Sequence, residues 1–163
     1  MPVNRVGMKL RYRPPGHADD LDQRISALDT VRSSEELVEF MGRTGRTICV
    51  IDDDEAVRDS LRILLELESF DVETFETCED FLAWSPGDAK LCLILDLHLP
   101  GMSGFELLER LAADGRTIPT ILMTARSDRA VRLQAASLGT LTLLDKPIEF
   151  TSLIKALDGS AHA

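Results

Sequence analysis

At 163 residues the chain has room for one domain plus an arm, and none for large multidomain machinery. Hydrophobic residues at 44% and charged residues at 28% exclude wholesale disorder and fibrous repeats. A formal net charge of −10 argues against binding nucleic acid directly, because neutralising phosphates supplies most of that affinity.

The charge is unevenly placed: residues 1–46 carry eight basic and seven acidic side chains, whereas the remainder carries ten basic and 21 acidic. The first stretch contains Arg5, Lys9, Arg11 and Arg13 but no apolar core of a signal peptide. No apolar run anywhere approaches the ~18 residues that span a bilayer. A cytoplasmic protein without membrane insertion is the expectation. Pro14-Pro15-Gly16 breaks the chain, and Leu21, Ile25 and Leu28 then fall at i, i+4 and i+7. Ser33-Ser34-Glu35-Glu36 has a capping-box pattern and precedes Leu37, Phe40 and Met41. Residues 1–46 therefore read as an N-terminal extension, partly helical or flexible. It is either a solvated tail or an arm for a partner or for a homodimer.

From residue 47 the pattern becomes regular. Short apolar runs at 48–51, 91–95, 118–123 and 141–144, with a weaker alternating run at 70–75, read as five strands. Most are continuously apolar, which suits a parallel sheet covered on both faces. Amphipathic stretches lie between them: Val57, Leu61, Leu64 and Leu65, then Phe81 and Leu82, then Phe105, Leu107, Leu108 and Leu111. Val131, Leu133 and Leu138 support a fourth helix, and Leu153, Ile154 and Leu157 a fifth. Right-handed crossovers turn this alternation into a doubly wound α/β sheet, whose ligands bind beyond the carboxyl ends of the strands. Cys49, Cys78 and Cys92 lack metal-ligand spacing and read as buried thiols.

The carboxyl ends carry the chemistry. The first strand runs into Asp52-Asp53-Asp54-Glu55, the third into Asp96, the fourth into Thr124 and the fifth into Asp145-Lys146-Pro147. Several carboxylates in one crevice repel unless a cation sits among them. Oxygen-only ligands favour Mg²⁺, and His98 has no second His or Cys to join it in a zinc site. Asp96 follows five apolar residues, so it is held still and partly desolvated, as an aspartate that forms an acyl phosphate must be. Phosphoryl transfer asks for positioning and charge neutralisation, which the Thr124 hydroxyl and the Lys146 ammonium can supply. Strand-end aspartates and threonines also cap helices, and Lys-Pro also makes turns; the four signals in fixed order outweigh those readings. The Lys146–Pro147 bond is a candidate cis peptide.

These segments resemble the receiver domain of two-component response regulators, of the chemotaxis and nitrogen-fixation type. The resemblance is carried by Val50-Ile51-Asp52-Asp53-Asp54-Glu55, Leu95-Asp96-Leu97-His98-Leu99-Pro100-Gly101-Met102-Ser103-Gly104, Met123-Thr124-Ala125 and Asp145-Lys146-Pro147. It implies a receiver over residues 47–158, a tail at 159–163, and a five-stranded parallel sheet of order 2-1-3-4-5 with five helices. It implies a phosphoacceptor, Asp96, served by a sensor histidine kinase or phosphotransfer protein, and a Mg²⁺ ion held by Asp52, Asp53, Asp96 and the backbone carbonyl of His98. Thr124 and Lys146 take the positions of the groups that bind the phosphoryl oxygens, and His98 and Arg126 those that influence how long the acyl phosphate lasts. Such a protein assists its own phosphorylation without being an enzyme with a separate substrate. Two departures stand out. Leu143 occupies the position of an aromatic ring that swings inward on activation, so a muted or differently transmitted change is expected on the face of the fourth helix, fifth strand and fifth helix. The sequence also ends without a helix-turn-helix, which points to a stand-alone receiver acting on a downstream protein. Two rival readings are a receiver-like scaffold that accepts no phosphate, and a haloacid-dehalogenase-like phosphatase built on Asp52-Asp53-Asp54.

Overall fold

The computed structural model describes residues 45–140 and 142–160, so the expectations for the N-terminal helices and for Leu141 lie outside the described residues. Five strands, β1 (Arg46–Ile51), β2 (Asp71–Phe75), β3 (Lys90–Asp96), β4 (Thr120–Thr124) and β5 (Thr142–Asp145), form one parallel sheet of order β2-β1-β3-β4-β5. Between and after them run α1 (Glu55–Leu67), α2 (Cys78–Ala83), α3 (Gly104–Ala113), α4 (Arg129–Ser137) and α5 (Phe150–Ser160). The doubly wound parallel architecture read from the sequence is the one observed.

Alternation along the strands builds two cores. Cys49, Ile51, Leu93, Leu95 and Leu122 face Phe81, Leu107, Leu111 and Ala135 of α2, α3 and α4. The intervening residues Ile48, Val50, Cys92, Ile94, Ile121 and Met123 face Leu61 and Leu65 of α1 and Leu153 and Leu157 of α5. All three cysteines are buried thiols outside any disulfide. Burial pushes the Cys49 and Cys78 thiols up to about 12, so neither is a reactive thiolate at neutral pH. Four helices begin on side-chain caps, Asp54, Thr77, Ser103 and Asp128, each contributing about 1 kcal/mol. Ser103 and Glu106 close a full capping box.

Several expected boundaries shift for identifiable reasons. β4 starts at Thr120 rather than at residue 118, because Pro119 has no N–H to give; its carbonyl still accepts the Leu93 N–H at 2.9 Å. α5 runs through Ser160, taking two residues placed in the tail. Leu64 is 38% exposed and Leu133 62%. Leu64 stands about 100° round α1 from Leu65, and Leu133 about 200° round α4 from the buried Ala135, so each points off the covered stripe. Among the described residues no helix is long and apolar enough to cross a membrane.

Candidate functional site

Register assembles the site. Ile51 of β1 pairs with Leu95 of β3, so the next residues, Asp52 just past β1 and Asp96 at the last position of β3, come side by side. Thr124 pairs with Asp145 at the ends of β4 and β5, which places Lys146 one residue beyond the sheet. The Lys146 N–H donates to the Thr124 carbonyl at 2.7 Å, and the Lys146–Pro147 peptide is cis. From there the long side chain reaches back across the sheet. Its Nζ donates to Asp52 Oδ2 at 2.7 Å and to Asp96 Oδ2 at 2.5 Å.

Asp52 is held at every polar atom. Its N–H donates to the Phe75 carbonyl at 3.2 Å, its Oδ1 accepts the Asp54 N–H at 3.0 Å, and its carbonyl accepts Arg58 Nη1 at 2.7 Å. Arg58 was not anticipated from the sequence. The available signal was a basic residue six positions past Asp52, early enough in α1 to reach back to the strand end. Asp96 is almost as constrained, because the His98 N–H donates to its Oδ1 at 2.9 Å. Asp53 is exposed, yet ligand atoms of Asp52, Asp53 and Asp96 lie within 4.8 Å of one another.

Asp54 has a different role: its Oδ1 accepts the Ala56 and Val57 N–H groups and caps α1. The Thr124 hydroxyl is fully buried and donates to the Arg126 carbonyl at 3.0 Å, while the Arg126 N–H donates to it at 3.1 Å. It therefore closes the turn after β4 and must release the Arg126 carbonyl to donate elsewhere. Of the expected site residues, Asp52, Asp53, Asp96 and Lys146 come together through side chains. Thr124 joins through its backbone, and the His98 carbonyl belongs to the turn whose N–H holds Asp96. A cleft of about 240 Å³ opens beside them, lined by Asp96, His98, Ala125, Arg126 and Lys146.

Charge is unbalanced here. Burial raises the Asp52 pKa above the ordinary carboxylate value, and the Lys146 hydrogen bond only partly offsets it. Burial pulls Lys146 down, but its hydrogen bonds to Asp52 and Asp96 outweigh that and leave its pKa raised. One ammonium shared by two carboxylates does not compensate a side chain with no exposed surface. An all-oxygen donor set with surplus negative charge fits a hard divalent cation such as Mg²⁺.

A pH dependence follows. Between the ordinary carboxylate pKa and the raised one, folded Asp52 keeps a proton that the unfolded chain has lost, so its contribution to stability declines as pH rises. In metal-free urea unfolding over about pH 4 to 7, the stability of Asp52→Asn should gain on wild type as pH increases. A gap that stays constant would show that Asp52 ionises as it does in the unfolded chain.

A parallel α/β domain with a carboxylate pocket at its strand ends, bridged by one lysine, is the class that fold and site define. The family model of the response regulator receiver domain matches residues 48–158, and the chain belongs to that family. Receiver domains are phosphorylated by histidine kinases, act on output domains and typically bind Mg²⁺ at an acidic pocket. The transcriptional regulatory protein FixJ of Bradyrhizobium diazoefficiens is 37% identical over 113 residues, covering 69% of this chain and 55% of that protein. TdiR of Thauera aromatica is 35% identical, covering 70% and 50%. The crystal structure of FixJ-N superposes with a TM-score of 0.66 at 34% identity, over 72% of this chain and 94% of that one. The chain spans about half the length of these curated relatives.

Proposed function

We propose that this protein accepts a phosphoryl group on Asp96 from the phosphohistidine of a sensor histidine kinase or phosphotransfer protein, and signals by contact with a separate downstream protein. The observation that carries the reading is Lys146 Nζ donating to both Asp52 and Asp96, which ties three strand ends into one carboxylate site. In the transfer, a carboxylate oxygen of Asp96 attacks phosphorus in line with the leaving imidazole. The P–O bond forms as the P–N bond breaks, and the electron pair stays on the donor's ring nitrogen.

The chain's own groups orient and neutralise. The His98 N–H and Lys146 fix both oxygens of Asp96 before attack. Once Asp96 is esterified it no longer carries a charge, so Lys146 is free to pair with a phosphoryl oxygen. Mg²⁺, held by Asp52, Asp53, Asp96 and the His98 carbonyl, would neutralise the transferring oxygens. Thr124 can follow the new charge by exchanging its bond to the Arg126 carbonyl for one to the phosphoryl group. His98 and Arg126, both exposed at the cleft, are placed to influence water access to the acyl phosphate.

Leu143 is half-buried against the core on the α4 side of the sheet, so the change there is repacking of an aliphatic side chain rather than rotation of a ring. Readout through protein contact is supported by the 21 acidic against ten basic side chains from residue 47 onward. The phosphatase alternative needs the Asp-x-Asp pair, Asp52 and Asp54, to act on a substrate, whereas Asp54 caps a helix and Asp52 has no exposed surface. The test is incubation with Mg²⁺ and phosphoramidate, followed by intact mass and peptide mapping. One added phosphoryl group on Asp96, lost when EDTA is present, is the expected result; an unchanged mass refutes the proposal.

A further inference from the structure

The loop after Asp96 contains two glycines placed for different reasons. Gly101 has φ +77°, a conformation that side chains rarely adopt. Gly104 does not: it is the first residue of α3, where alanine is the better helix former. Conformation does not explain a glycine there. What excludes a side chain is contact, because a Cβ on Gly104 would lie 2.6 Å from the Asp96 carbonyl oxygen and 3.1 Å from Leu97 Cα. Both are backbone atoms at the end of the central strand. They cannot swing aside as a side chain can, since the Leu97 N–H is bonded to the Met123 carbonyl at 3.0 Å and the Leu97 carbonyl accepts the Gly104 N–H at 3.3 Å.

We infer that Gly104 is a positioning residue for phosphoryl acceptance: by letting α3 start against the Asp96 backbone, it sets how Asp96 sits between the His98 N–H and Lys146 Nζ. A methyl group at 104 must push the Asp96–Leu97 peptide away from α3. The carboxylate moves with its backbone, and its hydrogen bonds of 2.9 Å to His98 and 2.5 Å to Lys146 cannot both be kept. In-line transfer is sensitive to such shifts, since a misplacement of ~1 Å costs about 10²-fold in rate.

The inference rests on Asp96 being the phosphoacceptor, and the experiment separates the two ideas. Full-length wild type, Gly104→Ala and Leu111→Ala are labelled with phosphoramidate and Mg²⁺ at several donor concentrations. Leu111 is a buried residue two turns further along α3 and controls for loss of stability without a group added beside Asp96. Melting temperatures and the amide NMR shifts of Leu97 and His98 are recorded without metal. Gly104→Ala should fold, move those two amide signals, and lose about tenfold or more in maximal labelling rate with donor half-saturation within about twofold of wild type. Leu111→Ala should label within about twofold of wild type despite an equal or larger fall in melting temperature. Equal labelling by Gly104→Ala and wild type overturns the inference, as does a loss no greater than that of Leu111→Ala. A Gly104→Ala chain that does not fold also overturns it, because the glycine would then be a packing requirement. Wild type unlabelled at Asp96 refutes the function proposed above, and this inference with it.

Discussion

Asp96→Asn leaves the protein folded and removes phosphoryl labelling, with the rate falling by at least about a thousandfold, the scale on which loss of a nucleophile is felt. The carboxamide matches the carboxylate in shape but offers one acceptor oxygen where two are in use, one for the His98 N–H and one for Lys146 Nζ. One donor loses its acceptor, at a cost of about 1–3 kcal/mol. Removing one of two carboxylates that share a single ammonium works in the opposite direction. The two effects are of similar size, so the metal-free melting temperature should stay within a few degrees of wild type while labelling disappears. Calorimetry and intact mass on the same samples check both halves. Persistent labelling of Asp96→Asn would move the phosphoacceptor to another residue, and a collapse of stability would make the labelling result uninformative about chemistry.

Much of this site was legible in the sequence because strand ends are easy to find when strands are continuously apolar. Five residues before Asp96 and four before Asp52 are apolar, which fixed where the chain must leave a two-sided core. Helix faces were less legible. Leu64 and Leu133 match the spacing of a stripe, but how far a stripe is covered depends on the neighbouring elements, which lie far away in sequence. The roles within Asp52-Asp53-Asp54 could not be divided by pattern alone, since capping and cation binding ask for the same residue type. Only backbone direction decides that Asp54 turns toward the first turn of α1 while Asp52 turns toward Lys146. Arg58 and Gly104 act on backbone atoms, Asp52 O and Asp96 O, and a sequence gives no sign of which carbonyl lies within reach. The Thr124 hydroxyl, expected to face the pocket, bonds instead to the turn that follows it.

Lys146→Met should lower stability and tighten cation binding together. Methionine keeps much of the packing volume but leaves Asp52 and Asp96 without their shared counter-charge. Breaking a fully buried pair costs about 3–5 kcal/mol. The Lys146 side chain is 23% exposed, so solvent screening brings the expected loss to about 2 kcal/mol. The ammonium also occupies the carboxylate oxygens that a divalent cation would use, so its removal takes away a competitor and a like charge. A unit charge about 5 Å away at an effective dielectric near 20 is worth a few kcal/mol, so Mg²⁺ should bind at least about tenfold more tightly to the variant. Mg²⁺ would then restore part of the lost stability. The linkage has a definite sign: Lys146 has a raised folded pKa, so its contribution is fully present below the ordinary lysine value and is lost as pH rises through the folded one. Wild type and Lys146→Met should therefore converge as pH rises past the folded lysine pKa. Titration calorimetry with Mg²⁺, paired with urea unfolding across pH, measures each part. Unchanged Mg²⁺ affinity would mean that lysine and cation do not share oxygens, and the charge balance assigned to the pocket would have to be redrawn around Asp53 alone.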